Sequence, residues 1–71
     1  MPVFGDRVKE LRVSKGLTQK NMASILSTTE RNYQRYEATN SPNNHTLIKL
    51  ADYFDVSTDY LLGRSDNPER R

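Results

Sequence analysis

Residues 18–37 read "TQKNMASILSTTERNYQRYE". Met22, Ala23 and Leu26 form an apolar stripe at helical spacing behind Thr18, an N-cap residue, so a helix is predicted over about 19–26. "STT" at 27–29 breaks the pattern with side-chain oxygens suited to capping a second helix, over about 30–38, whose inner face Tyr33 and Tyr36 mark. Two short helices joined by three residues make a helix-turn-helix. Counting about 100° per residue, Gln34, Arg31 and Arg35 fall on the arc opposite Tyr33, Tyr36 and Glu37, flanked by Glu30 and Asn32. Two like charges one turn apart cost an isolated helix a few tenths of a kcal/mol. An anionic partner would turn that cost into a gain. The side chains on the arc can read base edges: Arg grips guanine through two bonds, Gln or Asn grips adenine, and Glu accepts from cytosine. An ordinary solvated helix face is the competing reading.

Outward from this stretch the period stays helical, and no segment alternates as a half-buried strand does. Phe4, Val8 and Leu11 share one face of a first helix over about 4–15, with Asp6, Arg7, Lys9 and Glu10 around them and Gly16 placed to cap its end. The turn-forming loop "ATNSPNN" ends the third helix. Leu47, Leu50, Ala51 and Phe54 then line a fourth helix over about 44–54, and a short fifth over about 57–62 carries Leu61 and Leu62 to a stop at Gly63. The expected architecture is all-α, a compact five-helix domain over residues 1–63. "RSDNPERR" at 64–71 has no apolar residue and is expected to be a mobile polar tail or the stub of a linker.

At 71 residues there is room for one domain. With no Cys and a single His, a disulfide and a thiolate metal site are excluded, and no metal, cofactor or small-molecule ligand is expected. No apolar run reaches the roughly 18 residues of a membrane span, and the charged first ten residues do not resemble an export signal, so a cytoplasmic location away from any membrane is expected. The net charge of +2 and a pI near 9.2 permit a polyanionic partner without demanding one.

"FGDRVKELRVSKGLTQKNMASIL", "STTERNYQRYE" and "TLIKLADYFDVSTDYLLG" together resemble the lambda-repressor-like, or Cro/C1 (XRE), helix-turn-helix family over about residues 4–63. Its most specific pieces here are "LR" with "KGLTQ", an Ala five residues after Thr18, "RYE" closing the third helix, and the terminal "LADYFDVSTDYLLG". The resemblance implies sequence-specific binding of double-stranded DNA as a transcriptional regulator, a repressor being the expected form, with the third helix in the major groove. It would place Thr29, Glu30, Arg31, Gln34 and Arg35 at base edges or adjoining phosphates. Phosphate contacts would come from Gln19 at the start of the second helix, from Arg12 and Asn32, and from Asn40, Asn43, Asn44 and His45 in and after the loop. Arg12 and Glu37 resemble the family's ion pair between the first and third helices, which fixes the angle of the latter.

Where the family commonly has Gly in the turn this chain has Ser27, and Thr28 and Asn44 stand at positions that are often apolar. A left-handed Ser costs roughly 1 kcal/mol, so a turn of different shape is expected. Glu30 is explained by the positive end of its own helix as readily as by a cytosine. The loop "TNSPN" has no Lys or Arg, so one copy would neutralise few phosphates, and a homodimer on a near-palindromic operator is expected. Tyr53, Tyr60 and Ile25 hint at its interface. An enzyme is not expected, because no Cys, paired-carboxylate motif or Gly-rich phosphate loop accompanies His45. The rival is an antitoxin-like or adaptor module that binds a protein with the same helices.

Overall fold

Four helices begin at a side-chain oxygen, and a left-handed residue closes four of the five. A computed structural model describes residues 4–39 and 42–69, and these form α1 (Phe4–Ser14), α2 (Gln19–Ile25), α3 (Glu30–Ala38), α4 (Asn44–Phe54) and α5 (Thr58–Leu61), with no strand among them. Thr18 Oγ1 accepts from the Asn21 amide at 3.0 Å while Asn21 Oδ1 accepts from the Thr18 amide at 3.0 Å, a reciprocal capping box. Thr29, Asn43 and Ser57 cap α3, α4 and α5 in the same sense, at 2.8–3.0 Å. Each cap is worth about 1 kcal/mol. Gly16 (φ 70°) and Gly63 (φ 77°) end α1 and α5 in the left-handed region, and Asp55 (φ 56°) ends α4. The helix bounds agree with the sequence expectation to within a residue or so.

The apolar stripes meet in one core. Phe4 and Val8 of α1, Met22 and Ala23 of α2, Leu26, Tyr33 of α3, Leu50, Ala51 and Phe54 of α4, Val56 and Leu61 are all buried. Leu11, Leu17, Tyr36, Leu47, Tyr60 and Leu62 pack half-buried around them. Gly5 sets the crossing of α1 and α3. A Cβ on it would lie 2.1 Å from the Glu37 carbonyl oxygen, and its amide donates to Thr39 O at 3.1 Å. No larger residue fits between these two backbones.

Residues 64–69, expected as a mobile tail, turn back on the body. Arg7 Nη1 donates to Ser65 O at 3.1 Å, Arg7 Nη2 meets Asp66 Oδ1 at 2.9 Å, and the Ser57 amide donates to Pro68 O at 3.0 Å. The Arg7 guanidinium also stacks 4.1 Å above the Tyr60 ring. A polar segment with no apolar anchor is held because a buried arginine needs acceptors. Tyr60, expected at a dimer surface, is therefore largely used up inside the chain, whereas Ile25 and Tyr53 do stand out from it, as do Val13 and Ile48.

Candidate nucleic-acid interface

Thr29 caps α3 so that its first turn opens beside the joint with α2. Arg31 and Arg35 are exposed one turn apart, and with Thr28, Thr29 and Asn32 they line a shallow open concavity. Neither arginine has an ion-pair partner among the described residues. Glu30 is exposed in the first turn of the same helix, where a carboxylate suits the positive helix end, and Gln34 is exposed one turn further along. The structure thus brings all five residues expected at base edges to one end and one outer side of α3.

Behind this face lies a closed polar network. The Glu37 carboxylate accepts from Arg12 Nε at 2.6 Å, from the Tyr33 hydroxyl at 2.5 Å and from Gln19 Nε2 at 3.1 Å. Arg12 Nη1 donates in turn to Leu17 O at 2.7 Å, and Gln19 Oε1 accepts from Gln34 Nε2 at 3.3 Å. One carboxylate therefore ties α1, the start of α2 and α3 together, which fixes the roll and tilt of α3. Burial by itself would raise the Glu37 carboxyl, but the hydrogen bonds from Tyr33, Arg12 and Gln19 outweigh it and hold the group below the ordinary carboxylate value. Burial first, and then the hydrogen bond to Glu37 and its charge, push the Tyr33 hydroxyl upward. Sequence reading found Arg12 and Glu37 but took Tyr33 for a core ring alone, because nothing local says where a buried phenol finds its acceptor.

The other expected phosphate contacts are distributed unevenly. Asn43 spends its Oδ1 on capping α4, while Asn44 and His45 are exposed in the first turn of that helix. His45 borders a small recess with Leu26, Tyr36, Thr46 and Lys49. Asn40 lies outside the described residues. Asn32 is only half exposed, and its amide donates to Thr28 Oγ1 at 2.8 Å and to the Tyr36 hydroxyl at 3.2 Å. Lys49, not singled out in the sequence, reaches Leu26 O at the end of α2 at 3.3 Å.

A family model described as a helix-turn-helix domain matches residues 5–66. The chain belongs to the XRE-like helix-turn-helix family. It is 44% identical over 61 residues to the SPbeta prophage-derived HTH-type transcriptional regulator YonR of Bacillus subtilis, covering 84% of this chain and 56% of that one. To the HTH-type transcriptional regulator ImmR of the same organism it is 43% identical over 64 residues, covering 89% and 50%. The cryptic phage CTXphi transcriptional repressor RstR of Vibrio cholerae is 31% identical over 65 residues, covering 90% and 59%. The chain spans about half the length of the curated relatives it matches.

As a helix-turn-helix chain it keeps the left-handed turn despite the missing glycine. Ser27 sits at φ 57°, its amide donates to Ser24 O at 3.2 Å, and the Thr28 amide donates to Ala23 O at 2.8 Å. That is the two-bond Schellman closure of a helix end. The expected change of turn shape is thus not seen at this residue: Ser27 adopts the conformation a glycine would, at a cost of about 1 kcal/mol. Thr28, at a position often apolar in the family, finds its polar partner in Asn32.

Proposed function

We propose that the chain binds double-stranded DNA sequence-specifically as the DNA-contacting part of a transcriptional regulator, a repressor in its simplest form, with α3 in the major groove. The observation that carries this reading is the pair Arg31 and Arg35, exposed one turn apart on α3 without an anionic partner among the described residues. Arg31, Gln34 and Arg35 would meet base edges, with Thr29 and Glu30 at the margin. Gln19, Asn43, Asn44 and His45 would hold phosphates from both sides, and Arg12 would act through Glu37. The names of the relatives support regulation, and RstR is itself named a repressor. No catalytic step is proposed, and the site of action would be the cytoplasm.

The loop at 39–43 carries no Lys or Arg, so one copy would neutralise few phosphates. Half-sites read on one side of DNA lie roughly 34 Å apart. Two copies on a near-palindromic operator therefore fit better than one. Titration against random-sequence duplex at two salt concentrations tests the proposal: affinity should fall steeply with salt and a short near-palindromic site should be enriched. Arg35→Ala should lose about 1–3 kcal/mol of discrimination at one base position with the fold intact. A pool in which no duplex is enriched would favour the protein-binding alternative, an antitoxin-like or adaptor module.

A further inference from the structure

Thr28, Asn32 and Tyr36 follow one another four residues apart, from the turn onto α3. An asparagine amide has two N–H donors. Here one goes to Thr28 Oγ1 at 2.8 Å and the other to the Tyr36 hydroxyl at 3.2 Å. What Asn32 has left to offer is Oδ1, an acceptor, and a phosphate oxygen accepts too. Asn32 can thus contact a phosphate only by breaking a bond it already makes.

Those bonds join two parts that the function needs in register. Thr28 follows Ser27, the strained left-handed residue of the turn, and so belongs to the end of α2. Tyr36 belongs to the body of α3 and stacks edge-on against buried Tyr33, with ring centres 5.9 Å apart. Asn32 lies between Arg31 and Arg35 in the chain and lines the same concavity. Apart from the Thr29 cap, its amide is the side-chain bond among the described residues that runs from α3 back to the turn. We propose that Asn32 is a positioning residue for base reading: it locks the turn to α3 and so fixes where Arg31 and Arg35 meet the DNA. This rests on the DNA-binding reading above. A reading side chain displaced by half an ångström or tilted by 10–20° loses its paired bonds, whereas the long-range attraction of the two guanidinium groups survives such a shift.

The test uses the duplex that the unmodified chain selects from a random pool and a scrambled duplex of equal length, each titrated at two salt concentrations. Asn32→Leu keeps the size of the side chain and removes its donors. It should lower the ratio of selected to scrambled affinity about tenfold, the loss of one good base contact, while scrambled affinity and its salt dependence stay unchanged. Thr28→Val should do the same and Thr28→Ser, which keeps the hydroxyl, should not. The double variant Thr28→Val with Asn32→Leu should be no worse than either single variant, to within about twofold. If Asn32→Leu does not fold, the Thr28→Val and Thr28→Ser pair decides alone. Equal loss on both duplexes, additive losses in the double variant, or an unchanged ratio would each overturn the positioning role. A pool from which the unmodified chain enriches nothing overturns the DNA-binding reading itself, and this inference with it.

Discussion

Arg7 and Arg12 leave α1 five residues apart, both largely withdrawn from water, and each meets one carboxylate. Around Arg12 both partners are buried: its side chain is 12% exposed and that of Glu37 6%. Every strong acceptor there is used, with Glu37 taking donors from Arg12, Tyr33 and Gln19. Around Arg7 only the arginine is buried, at 6%, while Asp66 is 98% exposed. The remaining partners of Arg7 are a backbone carbonyl of the C-terminal stretch and the face of Tyr60. A charge pair closed off from water fixes geometry, because either partner left alone has no solvent to turn to. A pair with one member in water holds a segment down but can release it cheaply. The first arrangement sits behind the exposed arginines of α3 and the second beside residues 64–69.

Removing Glu37 should have the largest effect. Glu37→Ala leaves a buried guanidinium, a buried phenol and an amide without their common acceptor, and should cost about 3–5 kcal/mol of folding stability, measured by urea denaturation. Glu37→Gln should be milder, since its carbonyl oxygen still accepts. A loss below about 1 kcal/mol for Glu37→Ala would mean that the network is as solvent-screened as the Arg7 pair and would erase the contrast. Arg7→Ala comes next. It opens space beside Tyr60 but leaves behind only groups that water can reach, so about 1–3 kcal/mol should be lost. Arg7→Met, which keeps the stem, should recover part of it by the same measurement.

The contrast also separates what a sequence shows from what it hides. Helix bounds were legible because Thr18, Thr29, Asn43 and Ser57 cap locally and Gly16 and Gly63 stop locally, so the signal and its effect lie within four residues. The outer arc of α3 was legible for the same reason, being a property of one helix. Arg12 and Glu37, 25 positions apart, could be paired only through the family resemblance. Arg7 was read as one more surface charge of α1, since its partner lies 59 positions away in a stretch without periodicity. The close approach at Gly5 depends on how α1 crosses α3, and no helical period encodes a crossing. That the Asn32 amide goes to Thr28 and Tyr36 was not legible either, because chain position gives the side of a helix but not which neighbours take an amide.

Acid should attack the Glu37 network. Glu37 has its carboxyl held below the ordinary value of 4.5, so the folded state favours the charged form. The stability this contributes is fully present above that ordinary value, which the unfolded chain has. It disappears as pH falls through the lower folded value. Melting temperature should therefore drop below about pH 4.5 in the unmodified chain and drop less in Glu37→Gln, which has no proton to take up there. A matching drop in both would assign the acid sensitivity to other carboxylates.

The smallest effect belongs to Asp66. It meets Arg7 at 2.9 Å, yet its side chain is almost wholly in water, so desolvation costs it nothing and the attraction is screened. Asp66→Asn keeps an acceptor oxygen for the guanidinium and leaves the Ser65 carbonyl and the Tyr60 ring in place. It should shift the melting temperature by less than about 4 °C, and raising the salt concentration should shrink even that difference. Hydrogen exchange at the Ser57 amide, which donates to Pro68 O, gives the local view. Faster exchange there in Asp66→Asn, with global stability unchanged, would show that the exposed carboxylate keeps the C-terminal stretch seated without holding the fold together. A melting shift as large as that of Arg7→Ala would instead make Asp66 the principal partner of the buried charge, and the Arg7 pair would then behave like the Arg12 pair despite its exposure.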